Sequence, residues 1–311
     1  MRHLQTIVDL RAACDEARAR GGRVGLVPTM GALHEGHASL IRAARASTDL
    51  VVVTIFVNPL QFGAGEDLDR YPRDLEGDLA LCEREGADVV FAPTVAEMYP
   101  AGPPATTVHV EGLTAPMCGA ARPTHFDGVT TVVSKLFAIA GPGRAFFGRK
   151  DAQQLAVIAR MAVDLNLPVE VVGCPIVREP DGLAMSSRNA YLAPAERRSA
   201  LVLHRALTAV AARIADGERD PAVVTAVIAD TVAAEPSVVL EYADVRNGHD
   251  LTPCSAPLAG EVLVAVAARV GATRLIDNAT CTVTETGASI DLGVISAGAR
   301  SGGTEVPCDA S

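Results

Sequence analysis

The sequence lacks several features that mark common functional classes. It contains no tryptophan, and no two of its seven cysteines form a C-x-x-C pair. Small buried thiols in a reducing compartment therefore explain the cysteines better than a disulfide framework or a zinc site. The net charge is −10, which argues against a broad basic face that binds nucleic acid.

Long apolar runs are also missing. No uncharged apolar segment is long enough to span a bilayer. Charged residues interrupt the apolar residues at the N-terminus, which is not the pattern of a signal peptide. We expect a cytoplasmic protein with neither a membrane nor a nucleic acid as its partner.

The length and the hydrophobic content of the sequence indicate a folded protein of more than one domain. Its 311 residues, 49% of them hydrophobic, exceed one ordinary domain and can form a packed core. We predict a first domain over residues 1–176, a second over 177–285, and a disordered tail over 286–311. The tail is expected because Gly, Ala and Ser dominate there.

The first half alternates apolar runs with helical periodicity. Nearly continuous apolar runs predict strands at residues 24–27, 51–57, 89–91, 145–147 and 169–172. Helical patterns lie between them at residues 40–46, 75–85, 129–139 and 153–165. This order predicts an α/β fold with a doubly wound, Rossmann-like parallel sheet, whose ligands bind beyond the carboxyl ends of the strands.

The second half has a different character. Ala-rich segments predict helices at 195–215 and 222–234, and apolar runs predict strands at 238–245, 261–270 and 273–276. We expect a smaller α+β domain here.

The segment PTMGALHEGH follows the first predicted strand and leads into a helix that begins near Gly36. Backbone N–H groups at a helix N-terminus attract phosphate, and the glycines allow a close approach. His34 and His37 share one face of the opening turn, where two imidazoles can donate to phosphate oxygens. The alternatives are capping or surface histidines, or a zinc site that lacks a nearby third ligand. The strand–loop–helix context favours phosphate.

Polar side chains also follow the second predicted strand. Asn58 and Gln61 can hold the hydroxyls and carboxylate of a small acid without adding negative charge. A turn with an Asn-Pro breaker explains them equally well. Arg122 and His125 lie in another donor-rich loop, although such loop residues are more often merely solvated.

Two more loops carry cationic and hydroxyl groups. Lys150 follows the fourth predicted strand and can place a point charge on phosphate, and Asp151 is a predicted helix N-cap. Residues 186–188, Ser-Ser-Arg, can clamp phosphate on a flexible loop. Taken alone, a capped helix start and an ordinary polar loop explain these residues as well.

The order of these motifs is more specific than any one of them. The chain resembles the pantothenate synthetase family in seven successive segments: PTMGALHEGH, IFVNPLQF, YPRDLEGD, RPTHFDGV, FFGRKDAQQL, VREPDGLAMSSRNAYL and RLIDNA. A wider similarity connects it to nucleotidyltransferases with an H-x-G-H motif. In the related class I aminoacyl-tRNA synthetases, a KMSKS loop occupies the place of residues 185–188.

The resemblance implies a role for each matching residue. The predicted catalytic residues, which would bind the ATP phosphates, are His34, His37, Lys150, Ser186, Ser187 and Arg188. The residues expected around adenosine are Gly148, Asp151, Val177 and Met185. Those expected around pantoate are Pro28, Gln61, Val133 and Gln154, with Met30 assigned to both ATP and pantoate. The residues expected to border the acyl and β-alanine region are Asn58, Tyr71, Arg122 and His125, and Asp78 is expected to hold Mg²⁺.

The activity implied by the resemblance is ATP-dependent ligation. Pantoate would be adenylated, and β-alanine would then displace AMP. Mg²⁺ as the cofactor, a homodimer and a cytoplasmic location are also expected. Gly77, Arg149 and Ala152 depart from the family pattern, and Gly77 weakens the metal assignment because an acidic residue is usual there. Two alternatives stay open: a nucleotidyltransferase that ends at an adenylylated product, and a non-catalytic binding protein of the same fold.

Overall fold

The computed structural model describes residues 1–296 and 309–310. Its strands are β1 (Arg2–Leu4), β2 (Val24–Thr29), β3 (Leu50–Ile55), β4 (Val89–Phe91), β5 (Gly143–Gly148), β6 (Val169–Cys174), β7 (Val177–Arg178), β8 (Val238–Asn247), β9 (Gly260–Val270), β10 (Thr273–Thr284), β11 (Gly287–Asp291), β12 (Val294–Ile295) and β13 (Asp309–Ala310).

The α-helices are α1 (Ile7–Ala19), α2 (Glu35–Ser47), α3 (Leu75–Arg84), α4 (Val95–Met98), α5 (Cys118–Ala121), α6 (His125–Ala140), α7 (Ala152–Asp164), α8 (Pro194–Ala200), α9 (Val202–Ala215) and α10 (Pro221–Ala233). Short 3-10 helices span Pro59–Gln61, Arg149–Asp151 and Ser187–Tyr191. None of the helices described combines the length and apolar composition that a membrane crossing needs.

The described chain divides into two compact units. The first contains Met1–Arg149, Gln153–Pro175 and β13, and the second contains Lys150–Ala152 and the chain from Ile176 to the end of β12. Lys150–Ala152 fall inside the predicted first domain but lie with the second unit.

The first unit is built on a parallel sheet. Its strand order is β1-β4-β3-β2-β5-β6-β13, in which β13 alone runs antiparallel to its neighbour. Successive residues Val51, Val52 and Val53 of β3 are fully buried. Neighbouring side chains in a strand point to opposite faces, so both faces of the sheet are covered. Each such burial contributes roughly 1.5–3 kcal/mol.

The strand order confirms the predicted α/β class and indicates where a ligand site is expected. β2 has β3 on one side and β5 on the other, so the direction of chain progression reverses at β2. Ligands of open parallel sheets bind at this reversal, outside the carboxyl ends of the strands. The loops that follow β2 and β5 are therefore the structural counterparts of the predicted phosphate loops.

The second unit contains an antiparallel sheet of order β11-β10-β9-β8. Helix α9 contacts β9, β10 and β11, while α10 contacts β8. Its buried core includes Val210, Ile214, Ile228, Val262, Val264 and Val266. The smaller α+β fold expected for this half is present.

Several predicted elements differ from those observed. The helix expected over 195–215 is divided at Leu201, which is the C-cap of α8 and the N-cap of α9. The strand expected over 273–276 continues to Thr284. The expected tail begins with β11, which pairs with β10, and β12, which pairs with β7. Apart from β13, the rest of the tail prediction falls outside the described residues.

Candidate functional site

The loop between β2 and α2 has a backbone conformation that residues other than glycine rarely adopt. Gly31 and Ala32 have φ angles of +84° and +51°, in the left-handed region. A Cβ atom at Gly31 would lie 2.9 Å from Oδ2 of Asp78, which explains the glycine. The loop carries the chain from the end of β2 to His34, the N-cap of α2.

His34 and His37 cap the helix reciprocally. Nδ1 of His34 accepts a hydrogen bond from the backbone N–H of Gly36 at 3.1 Å, and Nδ1 of His37 accepts one from the N–H of His34 at 3.3 Å. Their ring centroids are 4.2 Å apart. A neutral imidazole whose Nδ1 accepts carries its proton on Nε2. Capping and phosphate binding are therefore compatible roles, because they use different ring nitrogens.

Asp78, on the first turn of α3, holds this loop. Its two carboxylate oxygens accept hydrogen bonds from the N–H groups of Ala32 and Leu33, at 2.9 and 2.7 Å. Burial raises the pKa of the Asp78 carboxyl above its ordinary value, and the two N–H groups oppose that rise. The hydrogen bonds stabilise the positive φ at Ala32 and so set the approach to His34.

The Mg²⁺ ion expected at Asp78 does not fit this arrangement. Mg²⁺ takes oxygen ligands in near-octahedral geometry and keeps several waters, whereas each oxygen of Asp78 accepts from a backbone N–H and the residue is 3% exposed. In the described part of the chain, no three His, Cys, Asp or Glu side chains are grouped so that they could hold a metal ion without oxygens from a substrate. Asp78 is suited to holding the loop.

Gly77 also has a structural explanation. Asp74 is the N-cap of α3, and its Oδ1 accepts a hydrogen bond from the N–H of Gly77 at 3.0 Å. A Cβ atom at Gly77 would collide with the Asp74 carboxylate. An acidic residue here would require the cap to move and would add charge beside two carboxylates.

Asn58 and Gln61 belong to one buried hydrogen-bond network. Nδ2 of Asn58 donates to Oε1 of Gln61 at 3.2 Å and to the carbonyl oxygen of Gly128 at 3.0 Å. The hydroxyl of Tyr99 donates to Oδ1 of Asn58 at 2.8 Å. Nε2 of Gln61 in turn donates to Sδ of Met30 at 2.9 Å. The Gln61 amide is thereby held with a defined orientation next to the β2 loop.

Helix α6 packs closely on the turn that carries these amides. A Cβ atom at Gly128 would collide with the backbone of Leu60 and Gln61, so the close approach requires glycine. The N-terminal half of α6 thus forms a wall behind the Asn58–Gln61 turn.

Arg122 and His125 both hold the main chain of Gln61. Its carbonyl oxygen lies 3.1 Å from a terminal guanidinium nitrogen of Arg122 and 2.8 Å from Nδ1 of His125. Arg122 also pairs with Glu66, whose Oε1 accepts from Nε at 2.7 Å. The charge of Arg122 is therefore already balanced by a carboxylate, and these contacts make both residues supports of Gln61.

The remaining predicted residues of the first unit lie on separate elements. Tyr71 is buried and meets Phe62 edge-on, with ring centroids 5.9 Å apart. Pro28 is in β2, Val133 in α6, Gly148 ends β5 and Gln154 is on the first turn of α7. Among the described residues, Gln154 is not part of the hydrogen-bond network around Gln61.

The predicted residues of the second unit lie on three short segments. Lys150 and Asp151 belong to the 3-10 helix Arg149–Asp151, with Nζ and Oδ2 3.8 Å apart. Val177 begins β7, and the N–H of Met185 donates to its carbonyl oxygen at 3.0 Å. Ser186 caps the 3-10 helix Ser187–Tyr191 through the N–H of Arg188 at 3.3 Å.

The sequence-based prediction missed some residues that hold predicted site residues, or the segment leading to them, within each unit. Tyr99 has no motif of its own, and its hydrogen bond to Asn58 spans 41 positions. Asp277 and Asn278 stand in the RLIDNA segment without an assigned role. The available signal was a pair of adjacent polar residues inside an apolar strand pattern, since buried polar groups need partners.

Comparisons with known proteins agree with the motif resemblance. Residues 2–280 match the family model described as pantoate-beta-alanine ligase. The pantothenate synthetase of Roseiflexus sp. (strain RS-1) is 58% identical over 89% of this chain and 98% of its own. That of Heliobacterium modesticaldum is 56% identical over the same shares.

Solved structures show the same similarity. The crystal structure of pantothenate synthetase from Thermus thermophilus matches with a TM-score of 0.84 at 49% identity, covering 89% of this chain and 98% of that one. The pantoate-beta-alanine ligase from Francisella tularensis, complexed with beta-gamma ATP and β-alanine, matches with a TM-score of 0.73 at 30% identity over 89% and 97%. The family match spans both units and includes the histidine loop and the RLIDNA strand, so the chain is an enzyme that belongs to the pantoate–β-alanine ligase family.

Proposed function

We propose that this enzyme joins pantoate to β-alanine in two steps driven by ATP. The carboxylate of pantoate attacks the α-phosphorus of ATP, and pyrophosphate leaves. The amine of β-alanine then attacks the acyl carbon of pantoyl adenylate, and AMP leaves. The observation that carries this proposal is the pair His34 and His37 at the N-terminus of α2, directly beyond the strand where the sheet reverses.

The histidines suit the first step. Their Nδ1 atoms accept from backbone N–H groups, so each neutral ring has a donor at Nε2. Donors held in place before reaction stabilise charge that develops on phosphate oxygens, and the helix dipole acts in the same direction. By family resemblance we also assign the phosphates to Lys150 and residues 186–188.

The amide turn suits the acid substrate. Gln61 is fixed by Asn58 through its side chain and by Arg122 and His125 through its carbonyl oxygen. A fixed amide can donate and accept toward hydroxyls without repelling a carboxylate. We propose that Gln61 and Gln154 contact pantoate, with Pro28, Met30 and Val133 beside it.

The other assignments to ligands stay predictions. They are Gly148, Asp151, Val177 and Met185 at adenosine, and Asn58, Tyr71, Arg122 and His125 near β-alanine. No protein nucleophile is needed, so catalysis rests on positioning, charge stabilisation and exclusion of water from the mixed anhydride. The cytoplasmic location and the homodimer also stay predictions.

Product analysis tests the proposal. The enzyme is incubated with ATP, pantoate and β-alanine, and then with each substrate omitted in turn. We expect stoichiometric AMP, pyrophosphate and pantothenate only with all three. Without β-alanine, added hydroxylamine should trap the acyl adenylate as a hydroxamate, because amines attack mixed anhydrides.

Each alternative has its own outcome. A stable adenylylated product that β-alanine does not consume indicates a nucleotidyltransferase. Folded protein that binds ATP without turnover indicates a binding protein. Formation of ADP in place of AMP contradicts adenylation.

A further inference from the structure

The RLIDNA segment places two adjacent buried polar residues in the middle of β10. Asp277 and Asn278 are each 3% exposed, although neighbouring strand positions are apolar. Polar side chains buried in a sheet cost free energy unless their hydrogen bonds are satisfied. Their partners therefore indicate what the pair is for.

Asn278 holds the main chain of Lys150. Its Nδ2 donates to the carbonyl oxygen of Lys150 at 2.8 Å, across 128 positions of sequence. Both residues belong to the second unit. The Lys150 side chain is 18% exposed, so the backbone from which the ammonium projects is tied down while the side chain reaches solvent.

Asp277 holds a hairpin over residues 177–185, which leads to residues 186–188. Its carboxylate pairs with both terminal guanidinium nitrogens of Arg178, at 2.7 and 3.0 Å. Arg178 also donates to the carbonyl oxygen of Gly182 at 3.0 Å and to that of Leu292. The hairpin then closes through the hydrogen bond from Met185 to Val177.

β10 also contacts the 3-10 helix Ser187–Tyr191 directly. Two adjacent residues of β10 thus support segments that are far apart in sequence: Asn278 holds the Lys150 turn directly, and Asp277 holds residues 186–188 through Arg178 and the hairpin. Both carry cationic or hydroxyl groups assigned to phosphate.

We propose that Asp277 and Asn278 are positioning residues, which hold Lys150 and the 186–188 segment in the geometry that ATP requires. The proposal rests on the proposed function, because it takes ATP phosphates as the ligand of those groups. Neither residue needs to contact a substrate. Each acts through the backbone that carries a phosphate-binding side chain.

Asn278→Leu tests the role proposed for Asn278. Leucine fills similar space but has no donor for the Lys150 carbonyl. We expect kcat/KM for ATP to fall about tenfold, near the upper end expected for one lost hydrogen bond, while KM for β-alanine stays unchanged. Thr280→Val is the control, because it removes a hydroxyl two residues along the same face of β10.

Arg178→Lys tests the role proposed for Asp277, because Arg178 is the residue with which Asp277 pairs. Lysine keeps the charge beside Asp277 but cannot reproduce the bidentate pairing and the Gly182 contact together. We again expect a loss in kcat/KM for ATP, without a change in KM for β-alanine. Melting curves establish that each variant is folded.

The outcomes separate this inference from the proposed function. If the parent enzyme forms no pantothenate, the proposed function fails. If the parent is active and Asn278→Leu has the ATP kinetics of the parent, the positioning inference fails. Should Asn278→Leu not fold, Asn278→Ala replaces it, since a water molecule can then reach the carbonyl oxygen. If neither variant folds, Asn278 serves folding and the inference fails as well.

Discussion

The side-chain amide of Gln61 is oriented by two successive buried hydrogen bonds. Tyr99 donates to Asn58, and Asn58 donates to Gln61. Burial raises the pKa of Tyr99 to about 12, so its hydroxyl stays protonated and can act as a donor throughout the neutral range. Because Asn58 must donate to Gln61, Oε1 of Gln61 is the acceptor and its Nε2 faces the β2 loop.

Removal of the Tyr99 hydroxyl tests this orientation. In Tyr99→Phe, the hydrogen bond that Oδ1 of Asn58 keeps among the described residues is a long one, of 3.4 Å, from the N–H of Leu60. We expect the free energy of unfolding to fall by about 1 kcal/mol and KM for pantoate to rise several-fold. Urea unfolding and steady-state kinetics measure the two effects.

Tyr242→Phe provides the matched comparison, since it removes a tyrosine hydroxyl from β8 in the second unit. It should leave KM for pantoate unchanged. An unaltered KM for pantoate in Tyr99→Phe would show that the Gln61 amide is oriented without Tyr99, or does not contact pantoate.

Individual residues show how far sequence could predict the site. The residue types at His34, Asn58 and Gln61 suggested polar contacts because each follows a predicted strand. Their partners could not be predicted, because hydrogen bonds such as those of Arg122 and His125 to Gln61 span more than 60 positions. The family resemblance implied a metal at Asp78, and the sequence could not reveal its N–H partners, which lie 45 and 46 positions away.

At the scale of elements, the N-terminus of α2 combines stability and chemistry. The reciprocal cap satisfies two backbone N–H groups that a helix start leaves without helical partners. A cap of this kind contributes about 1 kcal/mol. A substitution of His37 by alanine should therefore lower stability as well as activity.

Two substitutions at His37 separate these effects. His37→Gln keeps a side-chain acceptor at the third helical position, where a capping box commonly has Gln, but loses the imidazole donor. We expect both His37→Gln and His37→Ala to lose on the order of 10²–10³ in kcat. Only His37→Ala should also lose about 1 kcal/mol of stability.

The measurements are kcat for adenylation and the urea midpoint of each variant. Near-normal turnover in His37→Gln would remove the imidazole from the catalytic residues. An equal loss of stability in both variants would mean that the cap does not depend on an acceptor at this position.

Elements were predicted where periodicity was uninterrupted. β2, β4 and β6 were found because apolar runs mark strands that are covered on both faces. β1 and α1 were missed because charged residues interrupt their apolar pattern. β10 was ended too early because Asp277 and Asn278 interrupt its apolar run, and their partners at Arg178 and Lys150 are 99 and 128 positions away.

At the scale of the whole molecule, the net charge of −10 opposes the binding of anions. Arg122, beside the amide turn, is itself paired with Glu66, and this pair links the charge balance to pH. The hydrogen bond from Arg122 holds the pKa of the Glu66 carboxyl below its ordinary value. A lowered pKa in the folded state makes the ionised pair a source of stability.

The sign of the pH dependence follows from that shift. The contribution of Glu66 is fully present above the unfolded pKa of about 4.3 and is lost as the pH falls through the lower, folded value. Glu66→Gln should therefore lower the urea midpoint at pH 7, by an amount equivalent to at most about 1 kcal/mol. The difference between parent and variant should shrink as the pH falls through and below 4.

Glu285→Gln is the control, because Glu285 is exposed and its removal changes the net charge equally. A pH-independent difference for Glu66→Gln, or the same pH-dependent difference for Glu285→Gln, would contradict a specific role of the pair.

Because Arg122 also supports the carbonyl oxygen of Gln61, the loss of Glu66 should raise KM for pantoate at pH 7. Glu285→Gln should leave KM for pantoate unchanged. A shared dependence of stability and pantoate affinity on one ion pair is expected only if Arg122 acts through Gln61.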